Sequence, residues 1–367
     1  MSDKPDIGIS ENEKVELAKT MLAVRSIASA EDFQKVRDIL VPTAAKDAVD
    51  RAVQGLSKED EFAMMCRLMG TATHLVHQEQ RPVIDGDYLV PDFLARFQPD
   101  CTPLRKSSSD SQGGRCFVEV KSTEDNSFKV GGQKLRRLRA FADQFGFPLL
   151  FAVRFLRFGG HALWVIVEDD RSRNSLKITY GDLGNGVRHV LWDDFFYRVN
   201  PWICFREVYD SSATDESGYR HPTRGVLREF HIVSEPDHPM TGPGGVENTA
   251  IFTGLDAATF NNFFDCFRLK ELGSEQRGHL TSALLEPTMP CCIADLIYQM
   301  NRLPRDEHGQ AILDPSRVLV AADGGPPINR DFIRSIVKMV GAVTLHVIAF
   351  GPPDEQLQKW QRFGGKA

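Results

Sequence analysis

Two apolar stretches of this chain carry charge in their middles: Tyr88-Leu-Val-Pro-Asp-Phe-Leu-Ala-Arg-Phe97 and Cys116-Phe-Val-Glu-Val-Lys121. Their aromatic and β-branched residues predict strands. A carboxylate in such a run is costly to bury unless it is paired or coordinated. Residues two apart on a strand share a face, so Glu119 and Lys121 project together and Val120 points to the opposite layer. If the strand carrying Asp92 lies beside this one, two acids and an amine meet at one spot. The chain must then build a sheet, and that sheet must accommodate a concentrated charge.

The flanking pattern supplies the other layers. Residues 11–56 read as helical, with apolar residues at helical spacing and an interruption at Pro42. Ser57 followed by Glu59, Asp60 and Glu61 reads as a helix start, and that helix runs through Phe62, Met65 and Met69 to about Gly70. His74 to Gln80 is a predicted strand, separated by an Asp85-Gly86-Asp87 turn from the Asp92 strand; residues 98–115 read as a loop. Gln133 to Phe145 is an amphipathic helix with Leu135, Leu138 and Ala142 on one face, closed by Gly146 and Pro148. Leu149–Phe155 and Ala162–Val167 are predicted buried strands, with shorter ones at Leu176–Tyr180 and Arg188–Leu191. This order describes an α/β layer with a mixed sheet.

Beyond the sheet, 210–224 and 234–248 are rich in Ser, Pro, Gly and Asp and read as linkers. From about 250 onward the chain reads as mostly helical, with a strand–helix–strand unit at 317–350. The expected organisation is a helical region at 1–56, an α/β domain at 57–210, a linker-rich segment at 211–249 and an accessory α+β domain at 250–367.

The 367 residues include no apolar run long enough to span a membrane and no secretory signal, so no membrane is expected. The cysteine count of 7 is odd and no C-x-x-C occurs, which speaks against a zinc ribbon or a disulfide framework and for a reducing, cytoplasmic compartment. The net charge of −6 means that any nucleic-acid contact must come from a local basic surface. Residues 128–158 supply one: Lys129, Lys134, Arg136, Arg137, Arg139, Arg154 and Arg157 stand against a single acid, Asp143. On the helix these charges lie off the apolar face, where a phosphodiester backbone could meet them.

Two carboxylates and a backbone carbonyl suit a hard, oxygen-seeking ion such as Mg²⁺, with Mn²⁺ standing in. A neighbouring lysine can orient or deprotonate an attacking water. Other features are weaker. His74 and His77 fall on opposite faces of a strand, Cys291 and Cys292 read as buried thiols, and the Trp192–Trp202 aromatics read as core. Val318–Gly325 resembles one unit of a nucleotide-binding fold but has no complete glycine fingerprint.

Pro91-Asp92, Glu119-Val120-Lys121 and the helix entered at Gln133 together resemble the PD-(D/E)xK nuclease superfamily, in its restriction-endonuclease-like and archaeal Holliday-junction-resolvase-like branches. The resemblance covers about residues 57–167 and departs from the pattern in the long insert between Asp92 and Glu119. It implies a restriction-endonuclease-like mixed sheet flanked by helices, with Asp92 and Glu119 holding Mg²⁺ and Lys121 positioning water. It also implies that Gln133 supports the site and that a helix glutamate completes it, Glu61 first and Glu59 second. Lys129, Lys134, Arg136, Arg137 and Arg139 become the phosphate contacts. The expected activity is Mg²⁺-dependent hydrolysis of DNA, endonucleolytic rather than exonucleolytic, in restriction, defence or repair. RNA is the other substrate the sequence admits. The rival expectation is a catalytically silent module that binds nucleic acid or protein, with a homodimer or a protein partner engaged through the C-terminal region.

Overall fold

The computed structural model describes residues 17–21, 23–24, 28–79, 86–97, 114–156, 163–183, 186–192, 194–214, 219–237, 249–277, 279–301 and 327–348. It is a mixed α/β structure. Helix α1 (Ala30–Leu40) leads into α2 (Lys46–Met69). Then follow β1 (Ala72–His77), β2 (Phe93–Phe97), β3 (Gly114–Thr123), β4 (Ser127–Val130), α3 (Gly132–Phe145), β5 (Leu149–Phe155), β6 (Trp164–Glu168) and β7 (Leu176–Thr179).

Five of these strands form one sheet in the order β1-β2-β3-β5-β6. β1, β2 and β3 run antiparallel, β3 and β5 run parallel, and β6 is antiparallel to β5. A parallel pair cannot be joined by a tight turn, and α3 supplies the crossover. Leu135, Leu138 and Ala142 bury that helix against Phe117, Phe151 and Val153. Gly146 ends it at φ 66°, a left-handed position glycine adopts without strain, and its N–H donates to the carbonyls of Ala142 and Asp143. On the other face, Val118, Val120 and Ala152 pack with Phe62, Met65 and Met69 of α2. The sheet is thus sandwiched between two helices, and alternation along β3 decides which layer each side chain enters.

The remainder adds β8 (Phe196–Val199), β9 (Ile203–Asp210), β10 (Arg220–His221), β11 (Gly225–Ser234), β12 (Thr249–Thr253), β13 (Leu269–Arg277), β14 (Leu280–Pro287), β15 (Cys291–Cys292) and β16 (Leu345–Ile348). The helices here are α4 (Arg188–Trp192), α5 (Gly254–Asp265), α6 (Ile293–Met300) and α7 (Arg330–Thr344). A second, antiparallel sheet runs β10-β11-β9-β14-β13, with β12 on the free side of β11. Phe205 and Phe230 of this sheet stack on Phe264 of α5. Phe62, Trp164 and Trp192 share one continuous core with Phe205, Phe264 and Ile297, so the two sheets are packed together.

Several expectations change. α2 runs without a break through Ser57, because nothing between Lys46 and Ser57 stops a helix: Gly55 alone costs about 1 kcal/mol. The boundary drawn at 57 therefore falls inside one helix. The predicted strand at Tyr88 begins only at Phe93; Pro91 has no N–H to give a ladder. Arg188–Leu191 falls in the helix α4, a run too short for periodicity to distinguish strand from helix. Within the linker-rich 211–249 segment, β11 is an interior strand paired with both β9 and β12. The region after 250 contributes β12, β13 and β14 as well as helices. Val318–Gly325 lies outside the described residues, and β16 pairs antiparallel with β8 rather than closing a parallel unit. Among the described residues no helix is long and apolar enough to cross a membrane.

Candidate active site

The sheet places Asp92 and Glu119 opposite each other by register. Phe93 pairs with Val118, so one step further along the ladder Asp92 meets Glu119. Gln78 N–H donates to the Asp92 carbonyl at 2.9 Å and fixes that end of β2 against β1. Both carboxylates are buried, each with 3% of its surface exposed. Phe117 lies in the layer under α3, so Glu119 and Lys121, two and four residues on, turn toward α3 as well.

The polar contacts are dense. Asp92 Oδ2 accepts the Val120 N–H at 2.6 Å and Lys121 Nζ at 3.1 Å. Lys121 Nζ also donates to the Val120 carbonyl at 2.6 Å and lies 2.9 Å from Glu119 Oε1. Lys134 Nζ, from the first turn of α3, reaches the same Oε1 at 2.9 Å. One ammonium therefore sits among three oxygens from Asp92, Glu119 and Val120.

The electrostatics follow from that crowding. Burial and the neighbouring Glu119 charge push the Asp92 carboxyl well above the ordinary aspartate range, against the pull of Lys121. Burial also works to raise Glu119, but Lys121 and Lys134 outweigh it and hold that carboxyl low. Burial disfavours the Lys121 ammonium, yet Asp92 and Glu119 more than compensate and raise its pKa. With these charges around it Lys121 is held as an ammonium that donates to the Asp92, Glu119 and Val120 oxygens.

The two helix glutamates have different partners. Glu61 is fully buried, but its carboxylate binds Arg154 Nε at 2.6 Å and Lys58 Nζ at 2.9 Å. Glu59 is the one whose charge bears on both Asp92 and Lys121. Two residues on a helix are separated by about 200°, so the two acids cannot serve one site. Glu59 also lies 2.9 Å from His77 Nε2, and this contact, with burial opposing it, raises the His77 pKa. His77 stands over the Phe93 ring at 4.6 Å. Sequence reasoning set His77 aside; its position on β1, the strand beside the one that follows Asp92, was the available signal.

The basic surface divides. Lys129, Lys134 and Arg136 are exposed. Gln133 is exposed in the first turn of α3, one residue from Lys134. Arg137 binds Asp87 at 3.1 Å and the Tyr88 carbonyl at 3.3 Å. Arg139 grips both oxygens of Asp169 at 2.7 Å and donates to the Arg173 and Asp170 carbonyls. Its guanidinium is committed within the fold, which removes it from the expected phosphate contacts. Trp192, Phe195, Phe196 and Tyr197 are buried and Trp202 is half-buried; Cys291 and Cys292 are buried as well.

The donor set can be tested against a cation. Among the described residues no group of three or more His, Cys, Asp and Glu side chains gathers as a metal-binding set. Mg²⁺ nevertheless binds through one or two carboxylates while keeping waters and substrate oxygens. Asp92, Glu119 and the Val120 carbonyl are of the kind that smaller demand needs, and a cation among them would counter the burial and the Glu119 charge that raise Asp92.

No protein-family model matches the sequence, and no curated protein matches it. Among solved structures the chain is similar to Hjc, a Holliday junction resolvase from the archaeal hyperthermophile Archaeoglobus fulgidus. The identity is 18%, the match covers 38% of this chain and 95% of that one, and the TM-score is 0.25. A superposition that loose carries nothing about activity; the chemistry rests on the residues above.

Proposed function

We propose that this chain is a divalent-cation-dependent phosphodiesterase acting on DNA, with a restriction-endonuclease-like core and Mg²⁺ as its natural ion. The observation that carries the reading is the juxtaposition of two buried carboxylates, Asp92 and Glu119, around the Val120 carbonyl, with an ammonium held between them. Isolated buried charge is expensive, and two acids brought this close need counter-charge, which Lys121 and Lys134 supply here and a divalent cation could share.

Asp92, Glu119 and the Val120 carbonyl would hold the ion, with Glu59 behind them. When bound it would supply charge stabilisation on the phosphate oxygens and a more acidic water. Lys121, an ammonium, orients the attacking water and neutralises charge developing on the phosphate. The exposed Lys129, Lys134 and Arg136 draw the phosphodiester backbone to the site. Endonucleolytic cleavage of DNA in restriction, defence or repair is the form of the activity we favour.

The test is cleavage of supercoiled, linear and branched DNA with Mg²⁺ or Mn²⁺ by the wild type, Asp92→Ala and Lys121→Ala. Loss of cleavage in both variants supports the reading, and equal cleavage in all three removes it. A second reading, a silent binding module, is favoured by one observation: the described residues gather only two carboxylates in direct contact with Lys121. Thermal stabilisation by Mn²⁺ that vanishes in Asp92→Ala and Glu119→Ala speaks against that module.

A further inference from the structure

Glu119 Oε1 receives two ammoniums at the same distance, Lys121 and Lys134, each at 2.9 Å. The local charge count gives this arrangement a consequence. Lys121 and Lys134 already stand against Asp92 and Glu119, two positive charges against two negative, and a divalent cation among them leaves four positive against two negative. One ammonium becomes surplus. Lys121 spans Asp92, Val120 and Glu119 and is 25% exposed, whereas Lys134 approaches from α3 and is 44% exposed. Lys134 is the one that can leave.

The helix gives a second reason. Lys134 lies in the first turn of α3, a turn that contains no acidic residue. A cation there opposes the helix dipole, so the placement does not serve the helix. The first intrahelical acceptor is the Gly131 carbonyl, taken by Leu135 N–H, which leaves the preceding N–H groups pointing out of the helix end. An ammonium released beside those groups forms a receptor for phosphate oxygens.

Resting on the proposed metal-dependent reading, we propose that Lys134 is a displaceable counter-ion. It holds Glu119 while the cation is away, yields that oxygen when the cation arrives, and then binds the phosphodiester of the substrate. Cation and nucleic acid thereby reinforce each other, because the first frees a ligand for the second.

Mn²⁺ binding to the full chain by isothermal calorimetry, without nucleic acid, tests the first half. Lys134→Met removes the competing charge, and the Mn²⁺ Kd is expected to fall about 3- to 10-fold for a partly exposed neighbour. Lys134→Arg keeps the charge and is expected to bind Mn²⁺ as the wild type does. The second half is read by fluorescence anisotropy with a phosphorothioate duplex, with and without Mn²⁺. The wild type gains affinity from Mn²⁺, and Lys134→Met loses that gain. Unchanged or weaker Mn²⁺ binding in Lys134→Met overturns the proposal, as does equal tightening in Lys134→Arg or a Mn²⁺ gain retained in Lys134→Met. If Asp92→Asn binds Mn²⁺ as tightly as the wild type, the metal site itself has failed and the counter-ion role falls with it.

Discussion

Each of the two larger sheets buries a glutamate, and the two are treated differently. Glu207 on β9 is buried beside Phe205, accepts the Tyr209 hydroxyl at 2.7 Å and has Arg224 at 3.6 Å. Burial raises its pKa, while Tyr209 and Arg224 pull the other way. It is one carboxylate in a closed local set. Glu119 on β3 stands against a second carboxylate, and two lysines from separate elements are needed to hold it. A buried acid is thus not by itself a sign of function. Two acids brought together by strand register, and balanced by groups that can move, are a different matter.

The largest expected difference between the two is in cleavage. Asp92→Ala and Glu119→Ala should reduce turnover of DNA by about a thousandfold or more, the scale of several kcal/mol of lost transition-state stabilisation. Glu207→Gln should leave turnover per folded molecule unchanged and lower the melting temperature. Measuring both quantities on the three variants breaks the comparison if Glu207→Gln costs as much turnover as the other two.

The helix acids sharpen it further. Glu61→Gln leaves Arg154 buried with its partner weakened, and removal of one member of such a pair costs about 3 kcal/mol. That loss should appear in denaturant unfolding with turnover per folded molecule retained. Glu59→Gln should show the reverse, a fall in turnover with a smaller change in stability.

The pH response separates the acids again. Asp92 and Glu207 both have folded pKa values above their unfolded ones. The folded state then holds more protons, so each contributes stability at low pH that is lost as pH rises from the ordinary carboxylate range through the raised value. In melts of chelator-treated protein, Asp92→Asn and Glu207→Gln should each flatten that decline. Mn²⁺ should offset the Asp92 part and leave the Glu207 part in place.

The smallest effect concerns the basic helix. Arg136→Ala should weaken DNA binding a few-fold and reduce the salt slope by about 1, as expected for one phosphate contact. Arg139→Ala should lower stability through its lost pairing with Asp169 and leave the salt slope unchanged.

What was readable in the sequence divides along the same physical line. Alternation along Cys116–Lys121 and the β-branched runs around it were enough to place Glu119 and Lys121 on one face, and strand register brings Asp92 to them. The helix at Gly132–Phe145 was legible because its apolar spacing and its glycine stop are both local. Pairings between distant elements were not. Arg139 counted as free charge because Asp169 lies thirty residues away across β5 and β6. The resemblance alone puts Glu61 ahead of Glu59, and their partners, Arg154 for Glu61 and His77 for Glu59, lie on strands that local sequence does not connect to the helix. The strand Leu269–Arg277 is hard to read because it lies at the sheet edge, next to β14, and most of its residues are polar.

The central claim is that Asp92 and Glu119 converge to receive a divalent cation. Anomalous diffraction from crystals soaked in Mn²⁺ tests it directly. A peak about 2.1 Å from oxygens of both Asp92 and Glu119 is the predicted result, a distance set by hard-cation coordination. Mn²⁺ bound elsewhere in the crystal, with no density between those two carboxylates, would contradict it.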